Sequence, residues 1–288
     1  MTTSPQLREL AIVTGASSGI GAATARELAR RGFHVLAGVR RDRDGDAIRA
    51  PGIEPVIIDI TNANHVQSLA TRVAEDPRGR VVRALVNNAG VGVNVPFEVY
   101  AIEEWRRLFD VNFFGHVAVT QALLPALLRS RGRVINISSV GGKVAMATYG
   151  PYAGTKFALE AVSDSLRREL APLGVQVVVV EPGPVTTDML GRASVAPDEL
   201  TTAMTPEQRQ RYGGLVHAVA AQAAASARLG SSADAAAEVI ATAVTARKPR
   251  TRYTVGRSTA VLTRLTRVLP DRVLDRVLAA GLRPYLPK

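Results

Sequence analysis

The sequence predicts an α/β protein with a doubly wound parallel sheet, followed by a helical tail. Short apolar segments of strand length alternate with segments of helical periodicity along most of the 288 residues. Such alternation is typical of parallel strands whose connecting helices cover both faces of one sheet. Neither an internal repeat nor a linker divides the chain, and its length suffices for one large domain with a buried core.

The expected strands are short apolar runs that end at small or polar residues. In a doubly wound sheet, ligands bind beyond the carboxyl ends of the strands. The segments VTG, NNAG, ISS and EPG, each at the end of a strand, are therefore the expected rim of a ligand crevice. The strands are predicted over 9–15, 34–40, 54–60, 83–90, 133–138, 175–183 and 252–255.

The connecting segments carry helical periodicity, which predicts helices over 19–32, 62–76, 105–132 and 152–172. Residues 186–230 are instead expected to be irregular and to cover the crevice as a lid, because they follow a strand end. Residues 1–256, with this lid, are the expected catalytic domain. The larger apolar lid residues are Met189, Leu190, Met204, Tyr212, Leu215 and Val216, and His217 is a candidate pocket residue.

The tail, residues 257–288, is predicted to form two amphipathic helices broken at Pro270, the second capped by Asp271. From Arg247 onward 11 basic and 2 acidic residues contribute +9 of the net charge of +11, so the body is nearly neutral and a nucleic-acid-binding protein is not expected. A basic amphipathic helix can bind an anionic membrane. Packing on the body, over the substrate pocket or on a partner subunit is the favoured expectation.

Composition narrows the class of protein further. The chain has no cysteine, which excludes disulfides and thiolate metal sites and fits a reducing compartment. Neither a signal-peptide pattern nor an uninterrupted apolar run of membrane-spanning length is present. A cytoplasmic protein without a metal centre is expected, with peripheral membrane contact through the tail as the alternative.

A glycine-rich loop lies between the first strand and the first helix. Gly15, Gly19 and Gly21 permit a tight turn and let helix N–H groups approach a pyrophosphate. The spacing is G-x3-G-x-G rather than the commoner G-x-G-x2-G, and glycines that only let helix pack on strand are the alternative interpretation.

The end of the second strand favours NADP(H) over NAD(H). Val39 is followed by Arg40 and Arg41, without the acid that usually binds a ribose 2′-hydroxyl. Arg40 is the first candidate for a 2′-phosphate, although solvated surface arginines would look the same. Asp59, at the end of the third strand, is placed to bind the adenine amino group or to serve only as a turn residue.

A third group of residues suggests proton transfer. Tyr152 and Lys156 are four residues apart and share one helical face, and Ser139 precedes them at a strand end. The ammonium group of Lys156, together with a cationic nicotinamide, is expected to lower the tyrosine pKa, so that the phenol exchanges a proton with a substrate oxygen. Asn112, in an apolar helical run, is either a satisfied core amide or a residue that kinks the helix and holds water.

Together, the motifs TGASSGIG, NNAG, DVN, NISSVGG, YAGTK and EPGPVTTDM resemble those of the short-chain dehydrogenase/reductases, in the same order and spacing. The hydroxysteroid and retinol dehydrogenase branch is the most similar. The resemblance implies a Rossmann fold, a homodimer or homotetramer, and a tetrad of Asn112, Ser139, Tyr152 and Lys156. The implied cofactor contacts are Gly15, Ser17, Ser18, Gly19, Ile20, Gly21, Arg40, Arg41, Asp59, Ile60, Asn88, Ala89, Gly90, Tyr152, Lys156, Pro182, Gly183, Val185 and Thr187.

The resemblance implies hydride transfer between NADP(H) and the carbonyl or alcohol carbon of a hydrophobic small molecule of steroid, retinoid or aliphatic type. Two alternatives stay open. One is a reductase of 3-oxoacyl groups on an acidic carrier protein, although such enzymes usually end soon after the last strand. The other is a non-catalytic nucleotide-binding scaffold, which a complete tetrad disfavours.

Overall fold

The fold is a parallel sheet enclosed by helices. The computed structural model describes residues 9–186, 196–266 and 268–287. Its seven-stranded sheet has the order β3-β2-β1-β4-β5-β6-β9, and neighbouring strands pair in parallel throughout. The predicted doubly wound sheet is confirmed. The strands are β1 (Leu10–Val13), β2 (His34–Val39), β3 (Ile53–Ile57), β4 (Val82–Asn87), β5 (Arg133–Ile137), β6 (Gln176–Pro182) and β9 (Arg252–Val255).

The strand order reverses between β1 and β4, and this places the ligand crevice. The chain runs outward from β1 to β3, then returns to β4 on the other side of β1. The connections leaving the carboxyl ends of β1 and β4 therefore diverge, which opens a crevice between them. The loops that carry the glycine-rich and NNAG segments both start there.

Helices cover both faces of the sheet and enclose two apolar cores. On one face, α1 (Gly19–Arg30) packs beside α9 (Ala233–Thr245). On the other, α3 (Ala63–Ala74) packs beside α5 (Gly115–Ser130). The further helices of the body are α2 (Asp42–Ile48), α4 (Ile102–Phe109), α6 (Gly150–Leu170), α7 (Pro197–Thr202) and α8 (Pro206–Arg228).

The helix that carries Asn112 is interrupted. Between α4 and α5 the backbone makes a π-helical turn over Asp110–Phe114. By length and composition Ile102–Ser130 could cross a membrane, with a mean hydropathy of 1.4 over its most apolar window. However, 44% of this apolar stretch is buried inside the protein, and the buried core helix of a soluble protein can have the same length and composition.

The lid prediction was wrong in its secondary structure. Most of the segment is α8, a 23-residue helix whose N-terminus has a capping box between Thr205 and Gln208. Alanine-rich sequence after Thr-Pro favours such a helix, and the prediction gave this too little weight. Val185–Thr186 and Ser231–Ser232 pair as β7 and β8 at its two ends.

Of the apolar residues predicted to line the lid, Met204 and Val216 are buried against the protein itself. His217 is half-exposed and lies 3.7 Å from the Asp198 carboxylate, away from the large cavity described below, so its candidacy for that cavity was wrong. Thr187, Met189 and Leu190 lie outside the described residues.

The tail forms the two predicted helices, α10 (Arg257–Leu265) and α11 (Asp271–Leu282). Pro270, which cannot continue a helix, separates them as expected. Asp271 is not the cap, because Pro270 occupies the N-cap position and no side chain caps the helix. Gln222 of α8 donates a hydrogen bond to the Gly281 carbonyl (2.9 Å), so α11 packs on the body of its own chain.

Candidate active site

The glycine-rich loop is held against the NNAG segment by close packing. Gly15 has φ +66°, and a Cβ there would lie 2.7 Å from the Ala89 Cα. A Cβ on Gly21 would lie 2.2 Å from the Gly15 carbonyl oxygen. The Asn88 amide donates to the carbonyls of Thr14 (2.9 Å) and Gly15 (3.2 Å). Only glycine fits at these two positions, so the loop backbone faces the crevice at close range.

This loop leads directly into the N-terminus of α1. Ser18 is the N-cap residue and its side chain makes no capping hydrogen bond. The first N–H groups of a helix have no intrahelical acceptor, and the helix dipole makes that end favourable for an anion. Narrow glycine backbone together with unpaired helix N–H groups fits the pyrophosphate of a dinucleotide.

One cavity of about 1160 Å³ joins this loop to the other predicted sites. All predicted cofactor-binding residues among those described line it, whereas Thr187 lies outside the described residues. Ser139 lines it as well, and Asn112 lies behind its wall. The lining also includes α8 and both tail helices. For the tail, packing over the pocket was one of several roles that the sequence left open.

At one end of the cavity the two arginines differ. The Arg41 Nε lies 2.8 Å from an Asp44 carboxylate oxygen, so this side chain is engaged by a neighbour. Arg40 makes no such ion pair among the described residues, and its charge contributes to a lowered pKa at Asp59. The Asp59 carboxylate accepts hydrogen bonds from the N–H (2.9 Å) and hydroxyl (2.7 Å) of Thr61. Arg40 is thus the more available cation.

At the other end, Tyr152 and Lys156 project from the first turns of α6. The Lys156 Nζ lies 5.8 Å from the centroid of the Tyr152 ring and donates to the Ile137 carbonyl (2.9 Å). Tyr152 and Ser139 both lie beside Gly141, where a Cβ would be 3.2 Å from the Tyr152 Cε1 and 3.5 Å from the Ser139 Oγ, and this Oγ accepts a hydrogen bond from the Gly141 N–H (3.0 Å). The Tyr–Ser pair therefore presents two hydroxyls together at the cavity surface.

The expected lowering of the Tyr152 pKa does not occur in the protein alone. Burial raises this pKa, the nearby Ser139 hydroxyl opposes the rise, and the Tyr149 charge adds to it. Burial also lowers the Lys156 pKa to about 8, against the opposing charge of Glu160. Desolvation, which the sequence argument omitted, favours the neutral forms of both groups. The argument also included the charge of a bound nicotinamide, so a lower Tyr152 pKa in the complex stays a prediction.

Asn112 sits in the π-turn with its side chain fully engaged. Its Oδ1 accepts from the Val91 N–H (2.8 Å), and its Nδ2 donates to the Val91 carbonyl (2.8 Å) and the Thr155 hydroxyl (3.2 Å). The amide thus ties the loop after NNAG to α6. Both earlier alternatives hold in part: the amide is satisfied by protein groups, and the helix departs from α geometry at this residue.

Sequence reasoning missed a buried charge cluster beside the tetrad. The Lys143 Nζ lies 2.6 Å from Glu160 and 3.6 Å from Glu181. Arg252 lies 3.0 Å from Glu160 and 3.3 Å from Glu181. These residues connect the loop after Ser139, helix α6 and strands β6 and β9. The sequence offered one indication of this cluster, because Glu160 follows Lys156 by one helical turn.

His116, one turn after Asn112, was also missed. It is only 1% exposed, and burial followed by the charge of Lys156 lowers its pKa to about 3. The imidazole is therefore neutral at ordinary pH. The sequence feature that could have identified His116 is its position as a polar residue, four positions after Asn112, in an apolar helix.

One part of the cavity wall is mostly apolar. Sequence reasoning gave no residues for this wall beyond the lid and tail segments as a whole. The apolar groups come from the loop before α6, from α8 and from the tail, and their roles could not be recognised without the packing. They include Met146, Tyr149, Val219, Leu262, Leu278 and Leu282.

Known proteins resemble this chain along most of its length. Retinol dehydrogenase 5 from Mus musculus is 37% identical, over 92% of this chain and 86% of that protein. NADPH-dependent 3-dehydrocapnine reductase from Ornithobacterium rhinotracheale is 32% identical, over 95% and 97%. The predicted similarity to the retinol dehydrogenase branch is confirmed.

Solved structures also resemble this chain. A short chain dehydrogenase from Burkholderia cenocepacia J2315 in complex with NADP is 27% identical, with a TM-score of 0.72 over 96% of this chain and 99% of that one. A Burkholderia phymatum protein in complex with NAD, 24% identical over 90% and 92% with a TM-score of 0.74, shows the same fold. Residues 9–198 match the family described as short chain dehydrogenase. The chain is thus an oxidoreductase of the short chain dehydrogenase family.

Proposed function

We propose that this protein transfers a hydride between NADP(H) and the carbonyl or alcohol carbon of a hydrophobic small molecule. One observation carries the proposal. Tyr152 and Ser139, which both lie beside Gly141, line the same cavity as the glycine-rich loop. A bound nicotinamide supplies the hydride during reduction and accepts it during oxidation. The residues of the chain hold the substrate oxygen and exchange its proton.

In the direction of reduction, Ser139 donates a hydrogen bond to the carbonyl oxygen of the substrate. Tyr152 gives its phenolic proton to that oxygen as the carbon gains the hydride, so a ketone becomes an alcohol and a phenolate is left. The buried Lys156 ammonium, at 5.8 Å from the ring, stabilises the phenolate. The nearby positive charge stabilises the phenolate after the proton has been transferred. Before the transfer, burial favours the neutral phenol.

The preference for NADP(H) rests on Arg40. This side chain lines the cavity after β2, where no carboxylate follows the strand end, and Arg41 is already engaged by Asp44. A guanidinium there suits a 2′-phosphate, to which arginine donates two parallel hydrogen bonds. The NADPH dependence of the Ornithobacterium relative and the NADP in the Burkholderia cenocepacia structure are consistent with this.

Cofactor titration tests the preference directly. We expect NADPH to bind more tightly than NADH, with Arg40→Ala weakening NADPH by roughly tenfold to a hundredfold, as the loss of a charged hydrogen bond would. Arg41→Ala is the matched control and should weaken NADPH less. Equal losses of NADPH and NADH in the Arg40 variant would show that this residue does not recognise the phosphate.

The substrate class rests on the apolar end of the cavity, since pockets for hydrophobic ligands are lined mainly by apolar side chains. A screen of steroid, retinoid and aliphatic ketones with NADPH, followed by absorbance, tests it. We expect turnover to increase with the apolar surface of the ketone. Turnover confined to small polar carbonyl compounds would contradict the substrate class while leaving the reaction type intact.

We also propose that two or four copies of the chain associate. Phe114 and Phe157 are 55% and 44% exposed, although both are large and apolar. Phe114 lies in the π-helical turn before α5, and Phe157 lies on α6. Sedimentation of the wild type and of Phe157→Glu tests this, with a shift toward monomer expected in the variant. Membrane contact through the tail stays the alternative role for its exposed Val273 and Val277.

A further inference from the structure

The first turn of α10 forms part of the wall of the cavity. Gly256 turns the chain after β9 with φ +94°, and the helix begins at the next residue. Ser258 and Thr259 then line the cavity. A Cβ on Gly183 would lie only 1.9 Å from the Thr259 Oγ1, so this hydroxyl packs directly against Gly183. Both tail residues therefore sit beside the segment that follows β6.

The environment of Thr259 calls for a hydrogen-bond partner. The residue is 3% exposed, and its hydroxyl makes no hydrogen bond among the residues that the structure describes. Thr263, one turn later and 5% exposed, differs in that its hydroxyl donates to the Ala260 carbonyl. The Thr259 hydroxyl oxygen is not fully enclosed by protein, because the residue lines the cavity. The partner of Thr259 is thus to be sought within the cavity.

Helix polarity points to the kind of partner. The first intrahelical hydrogen bond of α10 runs from the Ala260 N–H to the Gly256 carbonyl (3.2 Å). The N–H groups before Ala260 have no intrahelical acceptor, and they carry the positive end of the helix dipole. Together with the two hydroxyls they favour an acceptor oxygen, either of a carbonyl or of an anion.

We propose that Thr259, at the N-terminus of α10, donates a hydrogen bond to the nicotinamide end of the bound dinucleotide, with the carboxamide oxygen as acceptor. This rests on the proposed function. Gly183, which Thr259 contacts, is among the cofactor contacts that the family resemblance implies, whereas the glycine-rich loop at the N-terminus of α1 suits the pyrophosphate. The cofactor site then extends past the expected domain boundary at residue 256 and into the tail.

The experiment compares two nearly isosteric substitutions one helical turn apart. Each of Thr259→Val and Thr263→Val removes a buried hydroxyl from α10, but only Thr259 lines the cavity. Dissociation constants for NADPH are measured by fluorescence titration. We expect Thr259→Val to weaken NADPH about fivefold to tenfold, as the loss of one hydrogen bond would, and Thr263→Val to change it little. Thr259→Ser, which keeps the hydroxyl, should restore binding.

A second ligand identifies the part of the cofactor concerned. 2′-Phospho-ADP-ribose lacks the nicotinamide, so wild type and Thr259→Val should bind it equally, as measured by its competition with NADPH. An equal loss for both ligands, or unchanged NADPH affinity in Thr259→Val, would overturn the proposal, as would an equal loss in Thr263→Val. A wild type that binds neither NADPH nor NADH would overturn the proposed function together with this inference. Wild-type binding with no effect of Thr259→Val would overturn the inference alone.

Discussion

The first turns of α6 and helix α11 border the same cavity, but they are held in place very differently. Lys156 and Glu160 of α6 are 4% and 5% exposed, and the charge cluster around Glu160 anchors them. Helix α11 has no buried residue and is attached through the Gln222–Gly281 hydrogen bond and half-buried leucines. The first turns of α6 are therefore firmly held, whereas the part of the cavity wall formed by α11 is held by weak contacts and can change at small cost.

The charge cluster explains the rigidity of the first region. Lys143 and Arg252 each approach the buried Glu160 and Glu181, and Arg252 also pairs with Asp164 at 2.9 Å, so two half-buried cations and three carboxylates form one cluster. Removal of one member of a buried ion pair typically costs about 3–5 kcal/mol, because its partner stays buried without compensation. The loop after Ser139 is thereby tied to the helix that carries Tyr152.

The largest effect is expected from Tyr152→Phe. The variant loses the only proton that the proposed reaction takes directly from the protein, so turnover should fall by roughly a thousandfold or more, whereas α6 should remain in place. Steady-state kinetics with the best ketone, together with NADPH titration, measures both effects. Retained turnover would rule out the tyrosine as the acid, and lost NADPH binding would show that the hydroxyl supports the cofactor instead.

A smaller effect with a distinct pH signature is expected from Glu160→Gln. The Lys156 pKa is about 8, and the Glu160 charge raises it, so loss of the carboxylate should lower it further. His116, which stays neutral, and Tyr152 are the other titratable groups near the ammonium. If the charged ammonium is needed, activity is lost as pH rises through the Lys156 pKa, and the variant should lose it at a lower pH than wild type.

The control for this prediction is Glu181→Gln, which disturbs the same charge cluster without directly influencing the Lys156 pKa. Both variants should be less stable, but only Glu160→Gln should move the alkaline limb of the pH profile. Identical profiles for the two variants would mean that the cluster acts only on stability.

Tail substitutions should change substrate affinity and leave the chemical step unchanged. Leu278 lines the cavity, whereas Leu274, one turn earlier and equally half-buried, does not. Leu278→Ala should raise KM for long aliphatic ketones by about threefold to tenfold through lost apolar contact, with kcat and NADPH affinity retained. Leu274→Ala is the matched control. Equal KM changes in the two variants would indicate a general loosening of α11.

The smallest expected effect concerns stability within α6. Gly154 lies between Tyr152 and Lys156, and a Cβ there would meet Phe109 at an ordinary 3.6 Å. Gly154→Ala should therefore stabilise the protein by about 0.5–1 kcal/mol, observable as a rise in melting temperature of about 2 °C. A lower melting temperature would show that the contact with Phe109 is tighter than it looks.

Sequence alone determined the doubly wound fold, the family and the residues that converge on the crevice. This was possible because each depends on local information. Strand periodicity, the glycines at Gly15 and Gly21, and the i, i+4 spacing of Tyr152 and Lys156 are all visible within a few residues. The parallel sheet then brings the strand ends together, so short motifs far apart in the chain could be assigned to one site.

Tertiary structure decided what depends on contacts between distant segments. Burial, which sequence reasoning omitted, raises the Tyr152 pKa in the protein alone. The pairing of Lys143 and Arg252 with Glu160 joins positions far apart in the chain, and no local pattern predicts it. The tail showed amphipathic periodicity, but only packing placed Thr259 beside Gly183 and Leu278 on the cavity, because amphipathicity specifies that a face is buried and not what buries it.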